Sequence, residues 1–398
     1  MRRGSIFRSG FIGGGALVSG FVASAAWPLP PLDGTLRGEW LAPGAGAPVV
    51  EWRATIRSDP DAAAGRELTF AAEAPDGGLT LAASARLDAK TGDATWRIDD
   101  GRVDVSAWQP VTQELVSGWP TDLTVTGGLT LAGTGGWSSV ENQPSGQLHV
   151  SGTLVEIDSA EYGVTLREAR FQSTVTLADQ TAEWNFSAPR GEVAGWAIKD
   201  LRLAGSVAWQ TQQLHLTTAS LDVAGGRVAV RPTTVDLANL KLDLEVELVG
   251  VQLIELARLL PDVLADATGA VSGNVRLTWS EADGLAIKGG RLTLAESTRA
   301  AVWLRAVPGL ITSQLPPSSP GFQPLQRVEL GQTALAVTVL DLVLSPPDDP
   351  LGRSARLRVE AHPVDPGLKA PFIIDVNVAG PLDDLIRLGM DERVKFAP

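Results

Sequence analysis

Residues 240–248 read Leu-Lys-Leu-Asp-Leu-Glu-Val-Glu-Leu. Leu240, Leu242, Leu244, Val246 and Leu248 share one parity, while Lys241, Asp243, Glu245 and Glu247 share the other. Successive side chains of a strand point to opposite faces, so this stretch predicts a strand with one apolar and one charged face. A strand of that kind belongs in an antiparallel sheet that meets water on one side only.

Working outward, the same alternation recurs at Leu129/Leu131, Leu148/Val150, Leu201/Leu203, Val275/Leu277/Trp279, Leu292/Leu294, Leu335/Val337/Val339, Leu340/Leu342/Leu344 and Phe372/Ile374/Val376. Roughly twenty segments fit the template. Turn formers lie between them, among them Asp76-Gly77-Gly78, Gly127-Gly128, Gly225-Gly226, Asp283-Gly284 and Gly289-Gly290. Short connections of this type predict hairpins and hence a meander. Two segments break the alternation. Apolar residues spaced by three and four from Val251 to Ala267 predict a helix kinked at Pro261, and Trp303 to Leu315 predicts a second, followed by a loop from Pro316 to Pro324. A last short helix is expected at Leu382 to Leu388.

A sheet with one apolar face must hide it by closing into a barrel, pairing as a sandwich, or curling lengthwise into a trough. An extended meander favours the trough. The expected fold is therefore mostly β: an elongated, twisted antiparallel β-meander curled into a hydrophobic groove, with a few short helices in the C-terminal half. Three regions are expected: 1–27 as signal peptide or N-terminal membrane anchor, 28–198 as an N-terminal β-meander, and 199–398 as a C-terminal β-groove domain with helices near 251–267 and 301–315.

The chain has 398 residues, 33 basic and 46 acidic side chains, a formal net charge of −13 and no Cys. Without Cys there is no disulfide framework, thiolate nucleophile or zinc–thiolate site. The negative charge repels phosphate backbones, and no Lys/Arg run offsets it, so nucleic acid is not a partner. Arg2, Arg3 and Arg8 flank the apolar stretch Phe11 to Ala26, with small residues at Ala23 to Ala26. That is an export signal, either cleaved or retained as an inner-membrane anchor, and it places the body in the periplasm.

Catalytic signatures are missing. No G-x-S-x-G elbow, phosphate loop or dinucleotide fingerprint occurs, and Gly133, Gly135 and Gly136 read as a Gly-rich turn. His149, His215 and His362 lie on separate strands without metal-ligand spacing. The acidic pairs Asp99-Asp100, Asp348-Asp349 and Asp383-Asp384 read as solvated turn residues. The 12 Trp permit a sugar-stacking surface, although packing within strands or at an interface is the better account of them. No enzyme, metal or cofactor is expected.

Val249 to Glu296 contains Ala267-Thr268-Gly269-Ala270-Val271-Ser272-Gly273 and then Gly289-Gly290-Arg291-Leu292. This block resembles the C-terminal domain of the YdbH family of the AsmA-like superfamily, related to TamB. The resemblance is carried by roughly residues 200–398 and is architectural before that. It implies a β-groove anchored in the inner membrane that carries phospholipids towards the outer membrane. Stacked at about 4.8 Å, some twenty strands give a groove of about 100 Å. An outer-membrane protein or self-association would then complete the span. The groove candidates are Leu240, Leu242, Leu244, Val246, Leu248, Val275, Leu277, Trp279, Leu292, Leu294, Phe372, Ile374 and Val376. The family also carries a "dicarboxylate transport" label, for which no Arg cluster is visible. The alternatives are a structural or assembly protein of the envelope and an exported carbohydrate-binding β-protein.

Overall fold

The computed structural model describes residues 33–41, 48–58, 65–88, 90–115, 121–257, 264–280, 284–296, 299–305, 308–309, 311–345, 353–364 and 371–379. The N-terminal segment 1–27, Pro261, the Asp348-Asp349 and Asp383-Asp384 pairs and the helix expected at Leu382 to Leu388 lie outside them. The described strands belong to one open antiparallel sheet of 21 strands that does not close into a barrel. By contacts the chain divides into two compact units, 1–193 with 203–214, and 194–202 with 215–398.

The first unit holds β1 (Gly34–Leu41), β2 (Val49–Ser58), β3 (Gly65–Ala74), β4 (Leu79–Asp88), β5 (Ala94–Asp104), β6 (Thr124–Ser138), β7 (Gln143–Ser159), β8 (Val164–Thr176) and β9 (Thr181–Val193). Each pairs antiparallel with the next, as a meander requires. The register sets like beside like: Trp52 opposes Ala72, Phe70 opposes Ala83, Leu131 opposes Val150 and Phe171 opposes Phe186. Threonine and serine occupy the reverse parity, where Thr130 and Ser151 hydroxyls meet at 2.9 Å.

Glycine has a use here that differs from the expected turns. Gly133, Gly135 and Gly136 lie inside β6, and a Cβ on Gly135 would stand 2.5 Å from Trp96 Cζ2. The missing side chain is what lets the indole lie flat on the neighbouring strand. Gly127-Gly128 and Gly289-Gly290 are also within strands. Gly127 (φ +135°) sits where the β6–β7 register shifts, a bulge that only glycine enters without strain. Asp99 and Asp100 likewise lie in β5 at a register shift rather than in a turn, and pair with Arg97 at 2.5 Å and Arg102 at 3.3 Å.

The remaining strands are β10 (Trp196–Ala208), β11 (Gln213–Val223), β12 (Gly226–Val230), β13 (Thr233–Asp236), β14 (Lys241–Gln252), β15 (Leu264–Thr268), β16 (Ala270–Ser280), β17 (Gly284–Leu294), β18 (Ala300–Leu304), β19 (Leu335–Leu344), β20 (Arg353–Pro363) and β21 (Phe372–Ala379). Contacts assign the start of β10 to the second unit and its end to the first. The second unit's main ladder runs β12, β14, β16, β17, β19, β20, β21. The short pair β15–β18 joins it through the first residues of β19.

Neither expected C-terminal helix forms over its full length, and each gives up residues to strands. Val251 and Gln252 finish β14 by pairing with Val271 and Ala270, Leu253–Ala257 is helical, and Leu264 to Thr268 form β15. Ladder pairing takes the backbone groups that a four-turn helix would have used internally. Trp303 and Leu304 belong to β18, and only Thr312–Gln314 makes a single 3-10 turn. Conversely, the helix Phe322–Glu329 begins inside the stretch to Pro324 that was expected to be a loop, and Gln109–Leu115 is a helix in the N-terminal meander, where none was named. Each carries a proline in its first turn, Pro324 and Pro110, where the absent N–H would have had no intrahelical partner anyway. No described helix is long and apolar enough to cross a membrane.

Candidate functional site

The ladder of the second unit brings the sequence-expected residues onto one face. Leu242 opposes Trp279, Leu244 opposes Leu277, and Val246 opposes Val275. Leu292 then opposes Gly273 and Leu342, Leu342 opposes Leu357, and Leu357 opposes Val376. Residues directly opposite in an antiparallel pair share a face, so one apolar parity continues from β14 to β21. Leu240 precedes the first residue of β14 and is exposed. Phe372 opposes Ala361; Ile374 and Val376 oppose Val359 and Leu357 through their backbones, and their side chains lie outside the described set.

Two features of the face were missed. Ala355, Leu357, Val359 and Ala361 of β20 complete it, although their plain period of two was legible. In β19 a bulge at Thr338 shifts the register between Val337 and Val339. Leu335, Val337, Leu340, Leu342 and Leu344 thereby share the apolar face across what read as two alternations, while Val339 is turned outward.

The face has two differently covered ends. At the β14 C-terminal end, Val251, Leu253, Val271, Val328, Leu335 and Ala361 form a sealed core closed by β15, β18 and the helix Phe322–Glu329. Leu248, Leu294 and Leu340 pack against its margin. At the other end Leu242, Leu244, Leu277, Trp279 and Leu342 are only half-buried.

The reverse face is a lattice of ion pairs. Arg276 donates two hydrogen bonds to Asp243, at 2.8 and 2.5 Å; Arg291 donates to Asp341 at 2.7 and 2.9 Å; Arg356 donates to Asp375 at 3.1 and 2.7 Å. These bonds hold the Asp243 and Asp375 carboxyls below the usual carboxylate range. All are exposed, so they fix which face is wet more than they stabilise the fold. His149 and His215 pair with Thr174 and Thr234 hydroxyls at 3.1 and 2.9 Å, as ordinary strand residues do. No group of three potential metal ligands exists among the described residues.

Among the described residues, the second unit's sheet is thus charged on one side and half-buried apolar on the other. The family described as the intermembrane phospholipid transport protein YdbH matches residues 17–297. The chain belongs to this YdbH-like family. The match takes in the first unit and β10 to β17, and so reaches far N-terminal of the motifs that first suggested it. Membership of the YdbH-like family implies intermembrane phospholipid transport and a place in the cell envelope. No curated protein and no solved structure matches the chain.

Proposed function

We propose that the chain is a non-enzymatic lipid carrier of the periplasm, holding phospholipid acyl chains against the apolar face of its sheet as they pass between the inner and outer membranes. The observation that supports this most is the unbroken apolar parity from Leu242 to Leu357, half-buried at one end and backed by the ion-pair lattice on the reverse side. Transfer of each methylene from water to such a face is worth about 0.8 kcal/mol. Acyl chains therefore need no polar clamp to stay bound, and they slide because every strand offers the same contact. Phe11 to Ala26, flanked by Arg2, Arg3 and Arg8, would tether the chain to the inner membrane. An outer-membrane protein or a further copy would receive the lipid.

The test is photo-crosslinking in cells grown on labelled phosphate, with the probe at Leu244 or at Glu245. These neighbours stand on opposite faces. Labelled lipid captured at Leu244 and absent at Glu245 supports the carrier. Capture at neither, in a folded protein, turns the assignment to a structural protein of the envelope whose apolar face packs on itself.

A further inference from the structure

Between β18 and β19 the chain leaves the sheet from Arg305 to Ala334 and returns carrying Val328 and Glu329, both 0% exposed. Val328 lies in the sealed core with Leu335 and Val271. Among the described residues, no cation pairs with the Glu329 carboxylate. Its Oε1 accepts from Ile311 N–H at 2.5 Å and its Oε2 from the Thr312 hydroxyl at 2.9 Å. The helix is closed behind it by Gly331 (φ +68°), whose N–H reaches Val328 O at 3.1 Å while Gln332 N–H reaches Arg327 O at 2.8 Å.

An apolar residue at position 329 would bury more cheaply than a charge, so the carboxylate is better suited to specifying one contact than to adding stability. What it specifies is the docking of the segment beginning at Ile311 against the helix that seals one end of the apolar face.

We propose that residues 311–333 form a strap seated on the apolar face of the second unit in the place of an acyl chain, with Glu329 as its latch. This rests on the lipid-carrier reading. While the latch is closed, lipid is confined to the end marked by Leu244 and Leu277; once it opens, Leu294 and Leu340 become part of the path. The occupant is the phospholipid acyl chain itself, because the margin of the seal is continuous in register with the open end: Leu340, Leu342 and Leu344 belong to one strand and one face.

The experiment uses the full chain in cells with labelled phosphate, a photo-crosslinker at Leu244 or Leu340, and three latch states: unaltered, Thr312→Val and Glu329→Gln. Hydrogen exchange of residues 311–333 reports whether the strap has loosened. The expected result is capture at Leu244 in all three, none above background at Leu340 in the unaltered chain, and at least about a fivefold rise at Leu340 in whichever latch variant exchanges faster. Equal capture at Leu340 in the unaltered chain overturns the strap, as does a loosened strap with no rise. Unchanged exchange in both variants overturns the latch. Absence of capture at Leu244 in the unaltered chain is a different failure: it removes the carrier reading, and the strap with it. Thr312→Val keeps the backbone donors to Glu329 and so preserves the test if Glu329→Gln does not fold.

Discussion

Leu244 and Leu277 stand directly opposite each other across β14 and β16, and on the reverse face their chain neighbours Glu245 and Arg276 do the same. One step along either strand thus passes from the greasy side of the sheet to its charged side. On the lipid-carrier reading, cargo binding and solubility are separated by parity alone.

Arg276 and Leu277 are therefore a matched pair of positions for substitution. Arg276→Ala removes an exposed bidentate pair with Asp243, and is expected to change stability by about 0.5 kcal/mol or less. Leu277→Asp places a charge on the apolar face at a half-buried site. It should lower stability by about 1–2 kcal/mol and reduce co-purifying phospholipid about fivefold, the equivalent of about 1 kcal/mol of binding. Chemical denaturation and lipid mass spectrometry of the two variants check both numbers. Equal lipid loss in the two would mean that parity does not govern binding.

The glycines give a second, purely structural prediction. A Cβ at Gly135 would lie 2.1 Å from Ser145 O and 2.5 Å from Trp96 Cζ2, whereas one at Gly34 meets nothing within 4 Å. Backbone cannot yield as a flexible side chain does, so Gly135→Ala is expected to cost about 2–3 kcal/mol, with Gly34→Ala close to neutral. Thermal melts followed by Trp fluorescence would show it, since the indole that must move is Trp96. A melt unchanged in Gly135→Ala would mean that Trp96 does not rest on β6 as described.

The strands were legible from the sequence because alternation is a local signal, and Leu240 to Leu248 carries it without interruption. Bulges were not, since one extra residue changes parity without leaving a compositional mark. Thr338 splits one face into what read as two, and Gly127 and Gly289 read as turns although they bend strands from within. The helices failed in both directions for a tertiary reason. Val251 to Ala267 has helical spacing, but the ladder with β16 claims its first residues. Pro324 reads as part of a loop but sits at a helix position where proline is harmless. At the site, parity selected Leu242 to Leu248 and Val275 to Trp279 and placed them together in register. It gave no sign that the far end of the same face is sealed, because β15, β18 and the helix Phe322–Glu329 that close it lie outside the alternating stretches.

A third prediction concerns the seal from the helix side. Gly331 has φ +68°, and a Cβ there would stand 2.4 Å from Leu304 O. Gly331→Ala combines left-handed strain with a backbone clash and is expected to cost about 2 kcal/mol or more. The loss should appear first as faster hydrogen exchange at Val328, on the buried side of the helix, and at Leu335 in the core it joins. Faster exchange confined to β2 or β3 would place the seal's support elsewhere.

The last prediction is a pH dependence carried by Glu329. Burial by itself pushes its carboxyl up, but the Ile311 and Gly309 backbone N–H groups and the Thr312 hydroxyl and N–H together outweigh burial and hold it below the usual glutamate value. A group whose pKa is lower folded than unfolded binds fewer protons in the folded state around that range. Its contribution is thus fully present above the unfolded value of about 4.3 and disappears as pH falls through the folded value. The unaltered chain should lose melting temperature on acidification below about pH 4.3 through this group, and Glu329→Gln should lack that part of the decline. At neutral pH Glu329→Gln should already be the less stable of the two, since an amide offers only one oxygen to the donors that Glu329 meets with two. Melting temperatures of both proteins from about pH 3 to 7 decide it. Curves that remain parallel throughout would mean that the Glu329 carboxylate contributes nothing to holding the strap.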